Sequence, residues 1–250
     1  MRILLTNDDG IQAVGLRAMH AALCAAGHEV AVVAPVTEQS AVGHAITLSA
    51  PLRVKEFRDH GFFGRGVTGT PADCVKLALS TLVTDRPDVV VSGINAGANV
   101  GVDLLYSGTV SAATEGAFMG YPALAVSVDD FNPADLSEQA RYACELLARL
   151  PLDQLPQKCV LNLNFPKRPV AEFLGLKLCA HTRVAYEDWF EERRDPRGRP
   201  YYWMCGELDG ARISPDRDRR LLSEGWVTLT PLKFDFTDHE TMVLLERRLL

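Results

Sequence analysis

A chain of 250 residues, 47% of them hydrophobic, is long enough to bury one sizeable core, and nothing in its composition is collagen-like or low in complexity. Against 32 Asp and Glu stand 26 Lys and Arg, and the formal net charge of −6 excludes a general electrostatic grip on DNA or RNA polymers. No apolar run approaches the roughly 20 residues that cross a bilayer, and the "ILL" near the start is too short for a signal peptide, so no membrane partner and a cytoplasmic location are expected.

Taken in order, "RILLT" is a short apolar strand that ends in Asn7-Asp8-Asp9-Gly10. "GLRAMHAALCAAG" has apolar residues at helical spacing and stops at Gly27, and "HEVAVVAP" is a second strand broken by Pro35. "VTEQSAVGHAITLSAP" has no period and reads as a long loop, followed by "LRVKEF" and "GFFGRGVTG" as short strands or a hairpin. The start of "TPADCVKLALSTLV" is a well-marked helix entry, with Thr70 as cap, Pro71 in the first turn and Asp73 facing the positive dipole end. "PDVVVSG" reads as a buried strand, "INAGANVGVDLLYSG" as a Gly/Asn-rich loop, and "TVSAATEGAFMG" as a helix of small residues. The strand "PALAVSV", the helix "SEQARYACELLARL" and the strand "KCVLNLNFP" continue the alternation. Beyond it, residues 184–220 mix Arg, Asp and Glu with Tyr and Trp, which suits an arm or hairpin, either a solvated insertion or a subunit contact. "GWVTLTPLKFDFT" reads as one more strand pair and "HETMVLLERRLL" as a terminal amphipathic helix.

Strands alternating with helices predict a Rossmann-like α/β/α sandwich around a mostly parallel sheet, with a C-terminal hairpin and helix added. Residues 1–183 form the expected core and 184–250 the extension, with the arm at 184–220. The six cysteines are scattered, with neither CxxC nor zinc spacing, and are expected to be small buried hydrophobes.

In an open α/β sheet, ligands bind beyond the carboxyl ends of the strands, and four polar clusters fall there. Asp8 and Asp9 follow the first strand, Ser40 lies in the loop after the second, Asn95 and Asn99 follow "DVVVSG", and Ser107, Gly108 and Thr109 open a helix. Neighbours in a regular strand point to opposite faces, so Asp8 and Asp9 converge only where the chain has left the strand, an exit that Gly10 permits. Two carboxylates, a hydroxyl and an amide carbonyl form an all-oxygen set suited to Mg²⁺ or Mn²⁺ and poor for zinc. The helix start at Ser107, Gly108 and Thr109 offers free N–H groups to the other side of a phosphoryl group. Each cluster alone is more often a turn or a capped helix; His44 reads as an ordinary loop histidine and Glu115 as structural.

The stretches "ILLTNDDG", "SAVGHAITL", "GTPADCVKLAL", "PDVVVSGINAGANVG", "YSGTVSAATEG", "LNLNFP", "DPRGRPYYW" and "GWVTLTPL" resemble, in order along nearly the whole chain, the SurE family of survival-protein nucleotidases. The resemblance implies a phosphomonoesterase for nucleoside 5′- and 3′-monophosphates, active with one divalent ion per subunit, Mg²⁺ or Mn²⁺, with short polyphosphate as a further substrate. It implies metal ligands at Asp8, Asp9, Ser40 and Asn95, and phosphate contacts at Asn99, Ser107, Gly108 and Thr109. Asp8 is the candidate for orienting or deprotonating the attacking water and Asp9 chiefly a ligand; no covalent phosphoenzyme is required, and the alternative of Asp8 as nucleophile lacks the DxD arrangement expected of such enzymes. It further implies a homodimer or homotetramer paired through the arm. The chain departs from the family pattern at Ser40-Ala41, commonly Ser-Gly, and at Ala45, often Ser. From another class, a non-catalytic nucleotide-binding module on the same fold is the alternative. An NAD-dependent oxidoreductase fails for want of a glycine fingerprint after the first strand.

Overall fold

The computed structural model describes residues 1–249. Strand β1 (Arg2–Thr6) runs up the middle of the sheet, helix α1 (Val14–Ala25) returns, and β2 (Glu29–Pro35) lies beside β1 in parallel. The long loop follows, then the antiparallel hairpin β3 (Val54–Asp59) and β4 (Phe62–Val67), whose second strand extends the sheet beyond β2. Thr70 caps α2 (Pro71–Leu77) as the sequence predicts, through a reciprocal box with Asp73, and the helix widens into a π turn over Ala78–Leu82. The chain then crosses back to the other flank of β1 as β5 (Val89–Ala96). After a 3-10 turn (Gly101–Leu105) come α3 (Gly108–Phe118), β6 (Ala123–Val128), α4 (Ser137–Leu147) and β7 (Cys159–Phe165), each strand parallel to the one before.

The β-period divides the core between the two faces. Ile3, Leu5, Val89 and Val91 point to the layer of α1 and α4, while Leu4 and Val90 point to that of α2 and α3. Both faces are covered, so the strands read as continuous apolar runs rather than alternating ones. Because the chain leaves β1 towards β2 on one side and later towards β5 on the other, the order of strands reverses at β1. The crevice beyond the ends of β1 and β5 is the switch point at which such sheets bind ligands.

The C-terminal part departs from its sequence reading, which assigns neither the short strand nor the short helix found there and takes one strand for a pair. A short strand β8 (Leu176–Leu178) comes first, then the arm, β9 (Glu187–Arg194) and β10 (Pro200–Glu207), a separate antiparallel ribbon. After the short helix α5 (Asp218–Glu224), the stretch expected as a strand pair is a single strand, β11 (Val227–Lys233). Its partners are β7, antiparallel, and β8, parallel, so the sheet rather than a local turn completes it. The last helix, α6 (His239–Leu249), buries no residue. On the ribbon, Trp189, Phe190, Tyr202, Trp203 and Met204 are exposed. All six cysteines are free, but only Cys74 and Cys144 are buried, and Cys24 is exposed, against expectation. Among the described residues no helix is long and apolar enough to cross a membrane.

Candidate active site

The crevice beyond β1 and β5 holds a cavity of about 720 Å³. Asp8, Asp9, Ser40, Asn95, Asn99 and Ser107 all line it, although they come from three separate stretches of chain, after β1, after β2 and between the end of β5 and α3. At its root Gly10 has φ +98°, a left-handed conformation that turns the chain sharply out of β1. That turn brings the two neighbouring acids to one side.

Each acid is fixed differently. Asp8 is buried and accepts a hydrogen bond from the Thr109 hydroxyl of α3. Asp9 accepts from the Ala96 backbone N–H at 2.9 Å, at the end of β5. Burial pushes the Asp8 carboxyl above its ordinary range, against the lowering effect of the Thr109 bond, and the nearby Glu38 charge adds to the rise. For Asp9, burial again leads, and with the charges of Asp8 and Glu38 it lifts the carboxyl from 3.8 to about 6. Among the described residues neither acid makes a salt bridge.

Two carboxylates held together out of bulk water without a cation are an electrostatic debt. The other donors indicate what settles it. Asn95 uses its amide N–H₂ on Gly97 O at 2.7 Å, which leaves the carbonyl oxygen to offer, and the Ser40 hydroxyl bonds Glu38 at 2.6 Å. Among the described residues no three His, Cys, Asp or Glu side chains cluster as a metal site by themselves. A cation here therefore depends on the neutral oxygens of Ser40 and Asn95 as well as the acids. That donor set fits a hard divalent ion whose remaining positions are filled by water. At the same strand ends Asn7 Oδ1 and Ser92 Oγ are buried without a protein partner.

Besides Asn99, the residues expected on the phosphate side come from the start of α3. Ser107 is its N-cap, accepting from Val110 N at 3.0 Å, and lines the cavity. Gly108 and Thr109 lie behind that surface: Thr109 is fully buried with its hydroxyl committed to Asp8, and Gly108 packs directly on the Asp8 side chain. The helix start thus positions Asp8 as well as facing the cavity. Asn99 is held by four hydrogen bonds. Its N–H donates to Asn164, its side chain to Ser127, and its carbonyl accepts from Asn162 and Asn164.

The sequence of one family model, Survival protein SurE, matches residues 3–188. The chain belongs to the SurE family. Among its relatives, the 5′-nucleotidase SurE of Nitratidesulfovibrio vulgaris (strain DSM 19637 / Miyazaki F) is 65% identical over 247 residues, covering 99% of this chain and 92% of its own. The 5′-nucleotidase SurE of Solidesulfovibrio magneticus is 63% identical, covering 100% of this chain and 98% of its own. The crystal structure of the SurE protein from Aquifex aeolicus superposes with a TM-score of 0.85 at 34% identity and covers 99% of both chains. The SurE fold therefore extends through the hairpin and the C-terminal strand.

Several residues that shape this site as a SurE site carry no obvious sequence signal. Glu38 faces the acids, and Asp103 lines the cavity while bonded to Arg219 of α5 and to Tyr186 at the root of the arm. Asp218, fully buried, accepts from Gly101 N and Thr182 N, so it ties the loop after β5 to the C-terminal segment. For Asn162 and Asn164 a signal existed. "LNLNF" puts two amides two residues apart in a buried strand, hence on one face, where each needs a partner.

Proposed function

We propose that this SurE-family chain is a divalent-cation-dependent phosphomonoesterase that converts nucleoside 5′-monophosphates, and 3′-monophosphates with them, to nucleoside and phosphate. The observation that carries the reading is the pair Asp8–Asp9, which among the described residues makes no salt bridge and lines one cavity together with Ser107 at the start of α3. Names of relatives at 65% and 63% identity support the nucleotidase activity.

Asp8, Asp9, Ser40 and Asn95 are the residues that would hold the ion. A divalent ion such as Mg²⁺ or Mn²⁺ held there would supply charge neutralisation at the phosphoryl group and a lowered pKa for a bound water. Ser107, Asn99 and the α3 N-terminus hold the phosphoryl oxygens, with Gly108 and Thr109 contributing through the backbone and through Asp8. Asp8 orients or deprotonates the attacking water. Asp9 is chiefly a ligand. The exposed aromatic ribbon of the arm fits a second copy of the chain, giving a homodimer or homotetramer.

The test is phosphate release from a panel of 5′- and 3′-nucleoside monophosphates and tripolyphosphate, in EDTA and then with Mg²⁺ or Mn²⁺ restored. Release is expected only with metal. Silence on every substrate with both ions would leave a nucleotide-binding module.

Phe131 and Tyr106, both strongly exposed, stand on the rim of the same cavity, and the Phe131 ring lies over Gly97. Aromatic faces at that position suit a nucleobase. Stacking on a side chain is worth about 1–3 kcal/mol per base. Phe131→Ala is therefore expected to raise KM for nucleoside monophosphates by about fivefold or more while leaving ribose 5-phosphate unchanged. An equal change for both substrates would place the base elsewhere.

A further inference from the structure

The loop that carries Ser40 is held in an unusual way. None of the side chains of residues 37–50 is buried, so apolar packing does not fix its path. Polar tethers do. Gln39 N donates to Asp8 O at 2.8 Å, Gly43 N to Tyr106 O at 3.0 Å, and Thr47 N to Asp73 at 3.0 Å. Thr70 donates to Ala45 O at 2.7 Å. One side-chain tether reaches further: His44 Nε2 donates to Glu115 Oε2 at 2.8 Å. Within the same loop Ala41 has φ 58°, the left-handed region that favours glycine.

Glu115 is itself an anomaly. It is a buried carboxylate in the middle of α3, among alanines and a glycine, with Lys76 of α2 on its other oxygen at 2.8 Å. Burial opposes its charge, but the bonds from His44 and Lys76 outweigh that and hold its pKa below the ordinary value. A staple between α2 and α3 needs only Lys76. His44 lies on neither helix; what its bond to Glu115 gives is a fixed place for the loop.

We propose that Glu115 is a positioning residue for the cation site: through His44 it holds residues 40–44 at the crevice with Ala41 left-handed, and so sets the affinity conferred by the Ser40 hydroxyl. This rests on the reading of Ser40 as a ligand. Without the tether Ala41 relaxes towards negative φ, and Ser40, its neighbour, leaves the cavity. His44 also stacks on Phe118 with ring centroids 6.0 Å apart, so His44→Phe keeps an aromatic ring there and removes the donor.

The experiment is Mn²⁺ titration by calorimetry of metal-stripped protein, with hydrogen exchange of residues 40–47 followed in parallel. His44→Phe and Glu115→Gln are expected to raise the Mn²⁺ Kd about tenfold, the usual range for groups that orient metal ligands, and to speed exchange in the loop. His44→Gln, which keeps an N–H donor, recovers most of the affinity. Ala41→Gly added to His44→Phe also recovers part of it, because glycine accepts the left-handed conformation at no cost. Lys76→Met breaks the staple and leaves the Mn²⁺ Kd within twofold of the parent. At saturating Mn²⁺ the tether variants keep their KM for nucleotide. A parent protein that binds no Mn²⁺ would overturn the cation site and this proposal together. A parent that binds it, with His44→Phe and Glu115→Gln equally tight, would overturn the positioning role alone.

Discussion

Asp9→Asn is expected to abolish turnover at ordinary Mg²⁺ and at the same time to raise the melting temperature of the metal-free protein. The two effects have one cause. Burial and the charges of Asp8 and Glu38 lift the Asp9 carboxyl from 3.8 to about 6, so the folded chain holds that proton more tightly than the unfolded one. A group with a raised folded pKa contributes stability below its unfolded value and loses it as pH rises through the folded value. The window here runs from about 4 to about 6. Above it, the ionised side chain costs the metal-free fold on the order of 2 kcal/mol. Asparagine removes the charge yet still accepts from Ala96 N, the bond that places the side chain. The metal-free variant should melt about 4–8 °C higher at pH 7.5 and show no such gain at pH 4. Asp8→Asn is expected to differ in kinetics: saturating Mn²⁺ restores metal occupancy, but kcat stays about 10²–10⁴-fold down, the scale of a lost general base. Calorimetric melts at the two pH values and metal-saturation kinetics check both parts. A metal-free Asp9→Asn protein no more stable than its parent at pH 7.5 would mean that the two acids are not in electrostatic conflict.

Much of this site is legible before any coordinates, because the residues concerned break a local rule. Asp8 and Asp9 stand where a buried strand should end in something neutral, and Gly10 supplies the only backbone that makes their convergence feasible. Thr70, Pro71 and Asp73 announce a helix start by chemistry that acts within four residues, and the structure forms that cap. Local signals fail where the partner is distant. β11 reads as half of a hairpin because its sequence shows a strand and nothing shows that β7 and β8 flank it. Glu38 looks like any loop acid, and Asp103 like any helix-turn acid, until Arg219, 116 residues along the chain, is placed against it. Ser107, Gly108 and Thr109 illustrate the middle case. Their position at a helix start is readable, but the division of work among them is not. That Thr109 bonds Asp8 while Ser107 caps the helix follows from how α3 docks on β1 and β5, which no spacing encodes.

Gly108→Ala turns that docking into an experiment. A Cβ at Gly108 would lie 2.7 Å from Asp8 Cβ and 2.7 Å from its Oδ2, closer than real Cβ atoms approach anything. Asp8 cannot yield cheaply, since it is buried at the end of β1 and bonded to Thr109 on the same turn of helix. Either α3 moves outward or the carboxylate swings off Thr109, and in both cases the distance between the acids and the start of α3 changes. A displacement near 1 Å in a positioned site is worth about 10²-fold in rate. The stability effect is smaller, because overpacking costs about 1–3 kcal/mol while alanine regains up to about 1 kcal/mol of helix propensity. The expected variant therefore melts only a few degrees lower but loses about 100-fold in kcat/KM. Gly116→Ala is the matched control. Its Cβ would meet Val90 at 2.8 Å on the same helix, away from the cavity, so it should lose comparable stability with kcat/KM within a few-fold of the parent. Equal losses of activity in the two variants would show that α3 acts only through general packing. A selective loss at Gly108 would show that the helix start sets the place of Asp8, and that the absence of one methyl group there is a condition of catalysis.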